Sequence, residues 1–203
     1  VTITIRTEAE MNGIVSLHEQ VKEAFCRKEG IRLTYMPFFL HAVVNSLKEC
    51  PEMNAGMKNG QLVVSKNIHL AIAAPNGDWP VVRHADRRSI AGFAIELDRL
   101  FQPAKDGQAR ASDAEAGSFT VRAAAAFSYA IHEPELPKTL APMLTFEMLP
   151  ARPAAVSNVI AVRHLIGLHL KADARVQNED ACSRFVSLVK QHVERIGPKT
   201  LLY

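Results

Sequence analysis

Long apolar runs are missing from this chain. None reaches the roughly 18 residues that cross a bilayer, so no membrane-spanning helix is expected. No secretory signal pattern is visible either. Charge of one sign is also missing. Lys and Arg number 24 against 21 Asp and Glu, and a net charge of +3 is too mild and too mixed to imply nucleic acid. The most basic block, Arg83-His84-Ala85-Asp86-Arg87-Arg88, contains an acid and reads as a solvated turn. Cysteine is scarce. Cys26, Cys50 and Cys182 are odd in number and widely spaced, which suits reduced thiols and excludes a disulfide framework. No Cys-x-x-Cys or His-x-x-x-His pattern occurs, so no metal is expected. Aromatics make up only 6%, and the single Trp79 is expected to pack in the core rather than stack on a ligand.

What is present is enough for one domain over residues 1–203, with 48% apolar and 22% charged residues. Residues 1–5 alternate and favour a strand. The sequence opens on Val1 rather than Met, and is read as a C-terminal fragment of a longer chain. Ile14, Leu17, Val21 and Phe25 recur at helical spacing, and Gly30 ends that helix. A second, largely buried helix is expected over residues 37–48, stopped by Pro51. Asn59-Gly60 reads as a hairpin turn. Residues 68–74 read as a buried strand, 76–78 as a turn and 80–82 as another strand. Ser89 caps a third helix carrying Ile90, Phe93, Leu97 and Phe101. Residues 103–115 read as loop and 118–122 as a strand. The stretch 123–153 reads as irregular because of Pro134, Pro137, Pro142, Pro150 and Pro153. Residues 163–172 should form a long strand and 179–195 a terminal helix, with Glu179 and Asp180 suited to its first turn. This mixture implies an α/β fold, a two-layer sandwich with a mixed sheet.

Residues 173–185 read Asp-Ala-Arg-Val-Gln-Asn-Glu-Asp-Ala-Cys-Ser-Arg-Phe. The stretch resembles the active-site segment of the dihydrolipoamide acyltransferases, the core subunits of 2-oxoacid dehydrogenase complexes. That family carries Asp-His-Arg-x-x-Asp/Asn-Gly-Ala here, followed by a helix containing Ala-Arg-Phe. The resemblance runs through nearly the whole chain. Leu33-Thr34-Tyr35-Met36-Pro37-Phe38-Phe39, Pro51-Glu52-Met53-Asn54-Ala55, Asn67-Ile68-His69-Leu70-Ala71-Ile72-Ala73, Gly77-Asp78-Trp79-Pro80-Val81-Val82 and Gly117-Ser118-Phe119-Thr120-Val121 are similar to family segments in the same order. The resemblance implies the fold of chloramphenicol acetyltransferase and a trimer with each active site between two subunits.

The family's chemistry needs a histidine as general base on a thiol. It also needs a serine or threonine hydroxyl that donates to the oxyanion, and an Asp or Asn four residues after the histidine. By the resemblance these fall on Ala174, Arg122 and Asn178, and the glycine after the Asp/Asn falls on Glu179. A methyl group accepts no proton, and Arg122 replaces a compact donor with a long cation, so no catalytic residue is assigned. Asp173 and Arg175 remain and are expected to form a structural ion pair. Asn178 is expected to cap the terminal helix. Arg122 is expected to fill space and form an internal salt bridge, or alternatively to pair with a phosphate. The eight histidines, among them His132, His164 and His169, read as structural or exposed, and Cys182 lies on the inward face of its helix.

Three functions are implied. The first is a catalytically inactive scaffold subunit of a 2-oxoacid dehydrogenase complex, with pyruvate the expected substrate of the parent complex. It would resemble component X, the dihydrolipoamide dehydrogenase-binding protein, which also lacks the histidine and carries acidic residues at the glycine. Its expected partners are copies of itself in a trimer, a dihydrolipoamide acyltransferase core, and dihydrolipoamide dehydrogenase bound through an N-terminal region outside this sequence. Its expected place is the mitochondrial matrix or, in a bacterium, the cytoplasm. The second is a coenzyme A or anion-binding module. The third is an acyltransferase with a relocated base. No cofactor is expected, and binding of coenzyme A or lipoamide is left open.

Overall fold

The computed structural model describes residues 1–102, 116–124 and 135–203. The expected loop at 103–115, His132 and Pro134 lie outside the described residues.

Ten strands and four helices follow one another along the described chain. Strand β1 (Thr2–Glu10) leads into helices α1 (Asn12–Glu29) and α2 (Met36–Glu49). Gly30 ends α1 at φ 71°, a left-handed conformation that costs glycine little. A hairpin of β2 (Ala55–Lys58) and β3 (Gln61–Val64) turns on Asn59 and Gly60, both at positive φ as a type I′ turn requires. Then come β4 (Leu70–Ile72), β5 (Val81–Val82) and α3 (Ile90–Phe101), the last capped by Ser89 Oγ accepting from Gly92 N at 3.0 Å. After them lie β6 (Phe119–Ala124), β7 (Met143–Met148), β8 (Arg152–Val156), β9 (Val159–Arg163), β10 (Leu165–Asp173) and α4 (Glu179–Arg195).

The main sheet has six strands in the order β1-β10-β7-β6-β4-β5. β6 pairs in parallel with β4 and β7, and the remaining neighbours are antiparallel, so the sheet is mixed. Period-2 alternation gives the strands two different faces. Leu144, Phe146, Phe119, Val121, Leu168 and Leu170 are fully buried on the inner face. There Phe146 stacks on Phe39 of α2 at 4.5 Å, and Phe119 meets Phe185 of α4 at 5.2 Å. The outer face carries a polar row in register, Arg6–His169–Thr145–Arg122. This is the two-layer α/β sandwich expected.

Three expectations need correction. β1 does not stop at residue 5, because Arg6–Glu10 continue in register against β10. The stretch 123–153 is not wholly irregular. Met143–Met148 is a central strand between β10 and β6, and the following β8–β9 hairpin begins at Arg152. The prolines lie outside β7 rather than in it, so the strand's Leu144/Phe146 alternation survives between them. Trp79 is half-buried and outside the core cluster.

Candidate functional site

The chain between β10 and α4 is held at nearly every residue. Asp173, the last residue of β10, is buried and receives both prongs of Arg175: Nε donates to Oδ1 at 2.8 Å and Nη2 to Oδ2 at 2.8 Å. The backbone N–H of Arg175 also donates to Oδ1, at 2.9 Å. The hydrogen bonds from Arg175 hold the Asp173 carboxyl well below the usual carboxylate range, against the opposing effect of burial. The Asp173 carbonyl accepts from Val176 N and Gln177 N at 2.9 Å each. The buried Gln177 donates through Nε2 to the Glu52 carbonyl at 2.8 Å. Asn178 then caps α4, its Oδ1 accepting from Ala181 N at 2.8 Å. Asp173 and Arg175 thus form an ion pair across two residues, and Asn178 stands at the start of α4 as its cap.

Ala174 sits in the middle of this braced loop. Its N–H donates to the Val1 carbonyl at 2.8 Å, and the residue is exposed. A methyl group thus stands at the accessible point of a segment held on both sides. Glu179, the first residue of α4, is also exposed.

Arg122 lies elsewhere. It is half-buried in β6, opposite Thr145 on the outer face. Among the described residues no carboxylate or other group forms an ion pair or hydrogen bond with its guanidinium, so the internal salt bridge expected for it is not found there. The reason is positional. Its cross-strand neighbour is Thr145, and the carboxylate diagonal to it on that face, Glu147, is engaged by His169 at 3.0 Å.

Register separates Arg122 from Ala174 within one chain. Arg122 is in line with His169, two strands away, and Ala174 is five residues beyond His169. At strand spacings this is roughly 10 Å across and roughly 17 Å along, so roughly 20 Å in all. One copy does not bring the two positions together.

The sequence reading missed one pair on the outer face. His169 Nε2 lies 3.0 Å from Glu147 Oε2, both side chains about 70% buried, and Gly167 between them leaves the room. A Cβ at Gly167 would sit 3.2 Å from both Glu147 Cβ and His169 Nε2. The available signal was the Thr145/Glu147 alternation within the proline-flanked β7. His169 is roughly 17 Å along the strand from Ala174 and does not replace the missing base there.

Four other histidines have local partners for their rings. His18 Nε2 is 2.8 Å from the Leu33 carbonyl, His41 contacts Asn45, and His192 meets Glu49 at 2.6 Å. His69 Nδ1 accepts from His84 N at 3.0 Å. His164 donates its backbone N–H to Asn12 Oδ1 at 2.6 Å. Cys182 is fully buried, and burial pushes its thiol up to about 11, the reverse of an activated nucleophile. Among the described residues no three His, Cys, Asp or Glu side chains gather as metal ligands. No described helix is long and apolar enough to cross a membrane.

Comparison with known proteins adds a family context to this geometry. The family model for 2-oxoacid dehydrogenases acyltransferase (catalytic domain) matches residues 1–203. The lipoamide acyltransferase component of the branched-chain alpha-keto acid dehydrogenase complex of Bacillus subtilis (strain 168) is 33% identical over 200 residues, covering 97% of this chain and 47% of that protein. The chain thus spans about half the length of the curated relatives it matches. A crystal structure of a probable dihydrolipoamide acetyltransferase from Listeria monocytogenes 4b F2365 superimposes with a TM-score of 0.89 at 32% identity, covering 100% of this chain and 88% of that one. A chloramphenicol acetyltransferase shares the fold, with a TM-score of 0.62 at 16% identity over 95% of this chain and 88% of that one.

Proposed function

The chain belongs to the catalytic-domain family of the 2-oxoacid dehydrogenase acyltransferases, and from that premise we propose that it is a core subunit that has lost catalysis and keeps a scaffold role. The observation that carries this reading is Ala174. The loop around it is braced by Asp173, Arg175, Gln177 and Asn178, yet the one accessible side chain at the family's histidine position is a methyl group. A loop that kept its supports and lost its base is what a retained scaffold predicts. Losing general-base help lowers a rate by roughly 10²–10⁴. Losing an oxyanion donor, here replaced by Arg122, lowers it by roughly 10²–10³.

Self-association as a trimer, with the two halves of the old site on different copies, is part of the proposal. The roughly 20 Å between Arg122 and Ala174 in one copy supports it. So does the β8–β9 hairpin, where Val159 is 65% exposed and Ile160 80% exposed, apolar surface of the kind a second copy covers. The proposed partners are a catalytic acyltransferase core and, through a region outside this sequence, dihydrolipoamide dehydrogenase. The relatives compared are bacterial, which favours the bacterial cytoplasm over the mitochondrial matrix as the proposed location. Pyruvate as the parent substrate rests on the likeness to component X. The Bacillus relative is named for branched-chain 2-oxoacids and the Listeria protein as an acetyltransferase.

Acyl transfer from acyl-dihydrolipoamide to coenzyme A tests the reading. The expected rate is that of the uncatalysed mixture, and turnover comparable to an active acyltransferase core assayed alongside would overturn it. The double substitution Ala174→His with Arg122→Ser is expected to raise the rate, because the braced loop would present a base again. A second reading, an anion-binding module, draws on the half-buried guanidinium of Arg122, which has no ion-pair partner among the described residues. Its test is calorimetric titration with coenzyme A.

A further inference from the structure

We infer that Arg122 of one copy forms an ion pair with Glu179 of a second copy, so that the degenerate site is closed by a charge pair between subunits. The inference rests on the proposed reading that two copies share the site. It starts from two replacements that make little sense singly. Arg122 puts a guanidinium with five donors on the half-buried outer face of β6, where among the described residues it finds no acceptor. A cation held part-way out of water without a partner is unfavourable. Glu179 puts a carboxylate on the exposed first turn of α4, where among the described residues it has no hydrogen-bond or ion-pair partner either. The nearby Asp173 is not available to Arg122, because both its oxygens are taken by Arg175.

The two lone charges are opposite in sign, and each stands where the resemblance places one half of a single composite site. Within one copy they are roughly 20 Å apart, too far to meet. A ring of copies removes the conflict. In a head-to-tail trimer each subunit presents Arg122 at one interface and Glu179 at the other, so three identical pairs form and the ring closes. The result is a site that has exchanged proton transfer for adhesion. Arg122 occupies the place of the oxyanion donor and Glu179 the place of a small glycine, and together they fill the space a thiol substrate would need.

Trimer dissociation measured on dilution by light scattering tests the pair in the whole chain, with circular dichroism confirming that each variant folds. Arg122→Glu and Glu179→Arg are each expected to raise the dissociation concentration by about tenfold or more. The double exchange is expected to return it to near the wild-type value. The neutral variants Arg122→Met and Glu179→Gln complete a double-mutant cycle, whose coupling should shrink in high salt. Single variants that dissociate like the wild type, or additive losses in the double exchange, would overturn the pair while leaving the trimer standing. A wild type that stays monomeric at all concentrations would instead remove the shared-site reading and the pair with it. Coenzyme A or inorganic phosphate binding to the wild-type trimer, and lost in Arg122→Met, would show an open cation and overturn the closed pair.

Discussion

The same six strands face two different obligations, and the sheet's two faces show how differently a sequence meets them. On the inner face Phe119, Phe146, Leu144 and Leu168 are sealed beneath α2 and α4, and stability comes from apolar area and close packing. On the outer face the matching row is Arg6, His169, Thr145 and Arg122, where charge and hydrogen bonding govern and the side chains stay partly wet. Adjacent residues of β7, Thr145 and Phe146, belong to opposite regimes. The inner face therefore maintains the fold, while the outer face carries the polar and charged side chains.

Substitutions sharpen that contrast in order of expected size. Phe146→Ala removes a fully buried ring stacked on Phe39 and should destabilise by about 3–5 kcal/mol in urea unfolding. Its neighbour Thr145→Ala should change stability by less than about 0.5 kcal/mol. Equal effects at the two positions would erase the distinction between the faces. Gly13→Ala probes the helical layer, where a new Cβ would come within 3 Å of the Ile196 backbone. The backbone there must move, at about 1–3 kcal/mol by thermal melting. Asn178→Ala removes the α4 cap and should cost about 1 kcal/mol.

Asp173→Asn is the most pH-dependent of these. Its carboxyl titrates below its ordinary value when folded, so the Arg175 pair contributes stability above the unfolded pKa of about 4. That contribution is lost as pH falls through the lower folded value. The wild type should exceed the variant by roughly 1 kcal/mol at neutral pH, and the gap should close on acidification. A gap that widened in acid would reverse the assignment of the pair as a support of the loop.

Comparing the strand content with the sequence shows where pattern reading succeeds. The Asn59-Gly60 turn, the Ser89 cap, the Gly30 stop and the Asn178 cap were all legible, because each rests on contacts within a few residues. β7 was not, because its flanking prolines resemble a loop and its strand character depends on pairing with β6 and β10, both well separated from it along the chain. At the candidate site the same division holds. The Asp173–Arg175 fork spans two residues and could be anticipated. The His169–Glu147 pair depends on the β7–β10 register and could not. That Arg122 has no ion-pair partner among the described residues likewise followed only from seeing which side chains share its row.

By itself the sequence determined the residue types that bear on chemistry, namely a methyl group at Ala174, a guanidinium at Arg122 and a carboxylate at Glu179. These are properties of single positions and survive any rearrangement of the chain. Only the tertiary structure decided that Asp173 is spoken for, that Arg122 has no ion-pair or hydrogen-bond partner among the described residues, and that Arg122 and Ala174 lie roughly 20 Å apart. Those facts depend on strand register and burial, which set distances between residues far apart in sequence and which no local pattern encodes.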